Sequence, residues 1–170
     1  MTSLATITTT GLAVLFVGMT SLLHPTPKLI WNASASVPIG FYVVKPASNL
    51  HLGDLVVARP PEDLAAFLET RGYLARGVPL VKHIAALPGQ QVCRIGRTIM
   101  VDGLIMGQAL DRDHLGRVLP TWERCRLVAD DEVFLMNWQS ENSLDGRYFG
   151  PLSASTIVGR AHPLWLVGDH

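Results

Sequence analysis

Leu80-Val-Lys-His-Ile-Ala-Ala-Leu-Pro-Gly89 is an apolar run interrupted by one lysine and one histidine and closed by Pro-Gly. Its length and its closing turn signal predict a strand over Leu80 to Leu87. Strand side chains alternate faces, so Lys82 shares its face with Leu80, Ile84 and Ala86, all apolar. A lysine on such a face points toward the core or a dry groove, where desolvation disfavours the ammonium and lowers its pKa. A free amine near neutrality can then take a proton from a hydroxyl nucleophile. The competing reading is a lysine that snorkels to water from an edge strand. Strand pattern alone leaves both open. His83 falls on the opposite face.

Outward from this strand the chain reads as mainly β. Phe41 to Val44 and Leu55 to Ala58 are β-branched or aromatic runs bounded by Gly and Pro, and Pro60-Pro61 ends the second. Glu62 to Arg71 carries Leu64, Phe67 and Leu68 at helical spacing, with Gly72 as a stop, which predicts one short helix. Ile99 to Met106 predicts a hairpin, since Asp102-Gly103 suits the positive φ angles of a two-residue turn. Glu132 to Met136 and Thr156 to Arg160 supply further strands. No internal repeat or second-domain boundary interrupts the pattern. Because the helix lies between strands, Leu64 to Leu68 is a candidate lid or rim.

The chain has 170 residues, with 48% hydrophobic and 16% charged side chains and fourteen basic residues balanced by fourteen acidic ones. No Lys/Arg cluster stands out, which argues against nucleic acid as a partner. Leu4 to Leu23 is free of charge and, as a helix rising about 1.5 Å per residue, would reach about 30 Å, the thickness of a bilayer core. His24-Pro25-Thr26-Pro27 ends it. The reading taken is an N-terminal transmembrane helix; the rival is a cleaved signal peptide with Ala33-Ser34-Ala35 as its cleavage site. Lys28, the first basic residue, follows the stretch and by the positive-inside rule argues against export of the remainder. Cys93 and Cys125 fit no CxxC pattern; a disulfide and two buried thiols both stay open.

Ser36 lies in Asn32-Ala-Ser-Ala-Ser-Val-Pro-Ile-Gly-Phe-Tyr42. A serine before Pro-x-Gly ordinarily makes only a turn. Here Pro38 and Gly40 sharpen a bend that can expose its hydroxyl, and Trp31, Phe41 and Tyr42 surround it with apolar bulk suited to a lipid surface. A third segment, Asn142-Ser-Leu-Asp-Gly-Arg-Tyr-Phe-Gly-Pro151, reads by itself as a structural turn held by an Asp–Arg pair.

In combination the three segments resemble the Ser–Lys peptidases of the signal peptidase I superfamily, above all its TraF-type conjugal-transfer branch, which matures pilin subunits. The resemblance implies a mainly β, signal-peptidase-like domain with one short inserted helix, preceded by an N-terminal transmembrane helix. Residues 1–27 would be the anchor and 28–170 the catalytic domain, on the periplasmic side of a bacterial inner membrane. Ser36 would be the nucleophile and Lys82 its base. Ser34 would supply a donor to the oxyanion, and Ser143 would hydrogen-bond the Lys82 amine. Asp145 and Arg147 would pair beneath the site, since a carboxylate facing the base would raise the lysine pKa. No cofactor or metal is implied. The implied partners are a membrane-embedded pilin or preprotein substrate, the lipid bilayer and mating-pore components, and the implied activity processes, and can cyclise, a pilin-type precursor. Two alternatives stand beside it: a general signal peptidase acting on exported proteins, and a non-catalytic periplasmic assembly factor of the same fold. Two departures, His83 where many signal peptidases have arginine and the shorter Ser36-Val-Pro spacing, count against general secretory processing.

No Gly-x-Ser-x-Gly elbow, His-Glu-x-x-His helix, Walker loop or Gly-x-Gly-x-x-Gly turn occurs. A Ser36–His83–Asp145 triad is a further arrangement for the structure to test.

Overall fold

β4 (Leu80–Ala86) is the buried centre of the molecule: every residue in it except His83 is withdrawn from solvent. The structure, a computed structural model, describes residues 3–22 and 28–168. β4 belongs to a seven-stranded sheet ordered β1 (Leu29–Asn32), β2 (Gly40–Lys45), β11 (Ile157–Leu166), β3 (Leu55–Ala58), β4, β9 (Glu132–Leu135), β10 (Leu152–Ser153). A four-stranded sheet runs β7 (Leu104–Gln108), β6 (Thr98–Val101), β5 (Gln91–Ile95), β8 (Arg124–Leu127). The helices are α1 (Ser3–Leu22), α2 (Glu62–Thr70) and the single turn α3 (Gly146–Phe149).

Alternation along the strands divides the core. Val56, Ala58, Ile84 and Leu135 pack on one side of the large sheet, and Val57, Val81, Tyr42 and Ala161 on the other. A third cluster, with Val92, Ile99, Phe134 and Met136, ties the small sheet to β9. Each fully buried Ile, Leu, Val or Phe contributes about 1.5–3 kcal/mol, so the strand that carries Lys82 is anchored from both faces.

The strands expected from sequence are found, as is the helix after Pro60-Pro61. Asp102 and Gly103 turn the β6–β7 hairpin with φ of 48° and 79°. β1, β5, β8 and β10 were not legible in the sequence. β8 has every residue exposed and therefore no apolar alternation; the ladder to β5 holds it in place. That register sets Cys93 opposite Cys125, and the two are bonded. β11 continues beyond Arg160 because a register shift at Pro163–Trp165 absorbs the proline.

The expected transmembrane helix needs correction. The stretch is helical, but among the described residues no helix is long and apolar enough to cross a membrane. Thr6, Thr8, Thr9 and Thr10 dilute the apolar character of its first half, and the Thr8 and Thr9 hydroxyls bond to the helix's own carbonyls. The His24–Pro27 break and the boundary after residue 27 lie outside the described residues.

Candidate active site

Ser36 occupies the connection between β1 and β2. A Cβ on Gly40 would lie 2.2 Å from the Trp165 carbonyl oxygen, so only glycine lets β2 begin against β11. The connection then folds over Asn32, whose buried amide donates to the carbonyls of Ser34 (2.7 Å), Val37 (3.1 Å) and Pro38 (3.0 Å) and accepts from the Ser34 N–H (3.2 Å). Tyr42 faces inward, corrects the expectation of lipid-facing bulk at that position, and donates its hydroxyl to the Pro38 carbonyl (2.6 Å). Ser36 is thereby left half-buried on a braced loop. The Ser34 hydroxyl lies 2.9 Å from the Ser36 hydroxyl and accepts from the Ser36 N–H at 3.3 Å.

Lys82 is 4% exposed. Burial lowers its pKa from 10.5 to about 8; Asp145 pushes it upward and Arg147 downward. Its amine donates to the Ser143 hydroxyl at 2.8 Å. Of the two readings that the strand pattern left open, the structure takes the buried one, and the snorkelling reading is excluded. Among the described residues no direct hydrogen bond joins Lys82 to Ser36. Both line one cavity of about 500 Å³, together with Ser34, Asn142 and Ser143.

Beneath this floor Asp145 and Arg147 are buried and paired, Nε to Oδ1 at 2.9 Å and Nη2 to Oδ2 at 2.9 Å. Arg147 also donates to the carbonyls of Ser140 (2.6 Å) and Ser143 (3.0 Å), which fixes the segment carrying Ser143. Gly146 makes this possible: a Cβ there would stand 2.6 Å from the Phe134 ring and 2.7 Å from the Leu135 carbonyl. Asp145 is turned to the guanidinium and to the Asn137 N–H (3.0 Å), and it makes no hydrogen bond to the Lys82 amine.

The remaining cavity wall is mostly apolar, with Asp113 and His114 as its polar members. Leu68 of α2 is buried and lines it, so the helix forms part of the cavity rim. Leu74, Leu80, Leu110, Leu119 and Leu144 continue it, with Tyr73 and Tyr148. At the far end the Tyr73 hydroxyl and Arg117 both donate to Asp113 Oδ2 (2.5 and 2.7 Å), and Arg117 reaches the Arg71 carbonyl (2.9 Å), stitching this segment to the end of α2. Burial raises the Asp113 pKa, but the donors around it more than reverse that and hold the carboxyl low.

The His83 triad is not assembled. The imidazole bonds Asn137 Oδ1 (3.0 Å), packs on Trp138 (4.9 Å between ring centroids) and does not line the cavity. Among the described residues no grouping of His, Cys, Asp and Glu could hold a metal ion.

Two supporting residues escaped the sequence reading. For Asn32 a signal existed, since asparagine ahead of a turn bonds backbone two residues on. For Asn137 none did, because its partners are contributed by β4, more than fifty residues away in sequence.

The chain is similar to proteins of conjugal transfer. A probable conjugal transfer protein TraF from Sinorhizobium fredii strain NGR234 is 37% identical over 140 residues, 76% of this chain and 73% of its own length. A conjugal transfer protein TraF from Agrobacterium fabrum strain C58 is 34% identical over 79% of this chain and 80% of its own. A plasmid transfer protein TraF from Escherichia coli is 29% identical, covering 78% and 80%. The family model of the signal peptidases matches residues 1–166. By that match this chain, with its buried lysine and braced serine in one cavity, belongs to the signal peptidase family, peptidase S26.

Proposed function

We propose that this protein is a serine endopeptidase in which Ser36 attacks a substrate carbonyl while neutral Lys82 takes the hydroxyl proton. The bond from Ser36 Oγ to the carbonyl carbon forms as the peptide C–N bond breaks, and the proton passes through Lys82 to the leaving amine. The acyl-enzyme is released by water or by an amine. One observation carries the reading: Lys82, 4% exposed and depressed to about 8, lines the same cavity as Ser36. Ser143 orients the amine, and the Ser36 N–H with the Ser34 hydroxyl receives the oxyanion. Asp145 and Arg147 support the Ser143 segment from below.

Support for a substrate of the conjugal-transfer machinery comes from the relatives, which are conjugal and plasmid transfer proteins. A pilin-type precursor held at a bacterial inner membrane fits a domain, residues 28–170, that acts on the periplasmic side while the uncharged helix α1 lies against the membrane surface. Support for membrane apposition comes from two surfaces. Leu4, Ile7, Leu12, Leu15 and Phe16 of uncharged α1 are all exposed. Trp31, Phe41 and Trp165 form an exposed aromatic cluster with ring centroids 4.8–6.3 Å apart, and β1 and β2, which carry the first two, flank the Ser36 loop. Aromatic clusters of this kind favour the headgroup level of a bilayer.

The test is co-expression with the pilin-like precursor of the same transfer system, read by mass spectrometry. Ser36→Ala and Lys82→Ala should each give a folded, membrane-bound protein that leaves the precursor unprocessed. Processing by Lys82→Ala would eliminate the dyad, and an unlabelled Ser36 under a serine-reactive probe would favour a binding protein. A product lighter than the linear chain by one water would identify the amine as acceptor. Rescue of a strain depleted of its own signal peptidase would move the substrate class to exported preproteins.

A further inference from the structure

Leu135 is the last residue of β9, yet the ladder along β4 continues past it. The Met136 N–H still donates to the His83 carbonyl (2.9 Å), after which the chain turns away. The next two groups on that edge of β4 are met by a single side chain. Asn137 Nδ2 donates to the Val81 carbonyl (3.1 Å) and Oδ1 accepts from the His83 N–H (3.0 Å). A primary amide offers one acceptor and one kind of donor, as a peptide group does, so Asn137 stands in for a strand residue and straddles Lys82. Its own N–H donates to Asp145 Oδ2 (3.0 Å), Asp145 holds Arg147, and Arg147 donates to the Ser143 carbonyl (3.0 Å). Ser143 then accepts from Lys82, and the circuit closes.

We propose that Asn137 is a positioning residue for the base: its amide sets the β4 backbone at Lys82 against the segment that carries Ser143. The inference rests on the Ser36–Lys82 reading above. Asn137 is fully buried and hydrogen-bonds neither the Lys82 amine nor the Ser36 hydroxyl, so it acts through its neighbours. The charged groups that bear on Lys82 are Asp145 and Arg147, both on the segment that the Asn137 backbone N–H holds through Asp145. The other titratable groups are His83, on the opposite face of β4 and bonded to Asn137 Oδ1, and Tyr73, Asp113, His114 and Tyr148 of the cavity wall, none of which Asn137 bonds. Without the bracket, β4 and the Ser143 segment separate, water reaches the amine, and the base stays protonated to higher pH.

The experiment measures kcat and KM against pH for the full-length protein, Asn137→Ala, Asn137→Asp and Val133→Ala, the last a core change on β9 outside the circuit. Asn137→Ala should lower kcat about ten- to a hundredfold with KM within about twofold, the scale of a small misplacement of reacting groups. Its acid limb should move to higher pH. Asn137→Asp keeps an acceptor for His83 but sets another against the Val81 carbonyl, and should move the limb at least as far. Val133→Ala should lose stability with its limb unmoved. Limbs of both Asn137 variants that superpose on the parent, after correction for the folded fraction, would overturn the inference. So would failure of both to fold where Val133→Ala folds, since that assigns the amide to structure alone. Ser36→Ala and Lys82→Ala run alongside: activity surviving in them removes the dyad itself, whereas their inactivity with unmoved Asn137 limbs removes only the role of Asn137.

Discussion

Lys82 Nζ donates to Ser143 Oγ across 2.8 Å, and neither side chain reaches solvent. A neutral hydroxyl steadies the amine without the charge that would keep it protonated, while the nearest carboxylate, Asp145, is occupied by Arg147. Burial is then free to dominate, and it brings the amine to about 8. As the base must be neutral to act, kcat/KM should climb as pH rises toward 8 and level off above it. A rate profile already flat from pH 6 would show that no group with this pKa limits the reaction.

The same burial links stability to pH. Lys82 has a pKa of about 8 folded against 10.5 for an ordinary lysine. Below pH 8 both states hold the proton, and the native state bears the cost of a buried ammonium. Between about 8 and 10.5 the unfolded chain binds it and the native state does not, so this group makes stability rise with pH there. The gap is worth about 3 kcal/mol. Lys82→Met should therefore be more stable than the parent near pH 7, and the parent should close most of the difference by pH 10. Urea unfolding at the two pH values measures it; a variant less stable than the parent at pH 7 contradicts the assigned cost.

Asp145 and Arg147 should behave as one unit. Both are buried, and removing one partner leaves an uncompensated charge that costs about 3–5 kcal/mol. Asp145→Asn should show that loss in denaturant unfolding, and Asp145→Asn combined with Arg147→Met should recover a large part of it. An additive double variant would mean that the pair is not coupled in the folded protein.

Much of this site was legible because local chemistry agreed with global placement. Lys82 sits on an apolar strand face, and alternation singled it out while leaving a buried and a snorkelling lysine equally open. The hairpin at Asp102-Gly103 was readable for the same reason, a backbone demand written in two adjacent residues. Ser34, Ser143, Asp145 and Arg147 came only from motif resemblance, since each is also an ordinary turn residue. Asn137 was invisible because its role depends on β4 arriving beside it. β8 was invisible because an exposed edge strand has no burial pattern, and only its register with β5 settles that Cys93 meets Cys125. The apolar N-terminal stretch was readable as helix, while its fitness to span a membrane depends on hydropathy summed over the whole segment.

The Cys93–Cys125 bond closes a separation of 32 residues, which in the chain-entropy model stabilises by about 3–4 kcal/mol. For a chain of this size reduction should lower Tm by roughly 10 °C. Neither cysteine lines the cavity, so activity at room temperature should be unchanged by reductant. Calorimetry and an activity assay with and without reductant test both halves; a large loss of activity with the fold intact would mean that the small sheet takes part in the site.

Ser34 offers the sharpest test of the nucleophile loop. Its hydroxyl is 2.9 Å from that of Ser36 and accepts the Ser36 N–H at 3.3 Å, so it can belong either to the turn or to the oxyanion site. The two roles differ in what they change. An oxyanion donor works only once charge develops on the carbonyl oxygen, and its removal costs about a hundred- to a thousandfold in kcat. A turn hydroxyl on an exposed loop costs little, particularly where Asn32 already holds the carbonyls of Ser34, Val37 and Pro38. Ser34→Ala should therefore keep its Tm within a few degrees, keep KM, and lose kcat on the larger scale. Ser34→Thr should restore most of that loss, because it returns a hydroxyl to the same position. A drop of less than about tenfold in the alanine variant would return Ser34 to the turn and leave backbone N–H groups alone to meet the oxyanion.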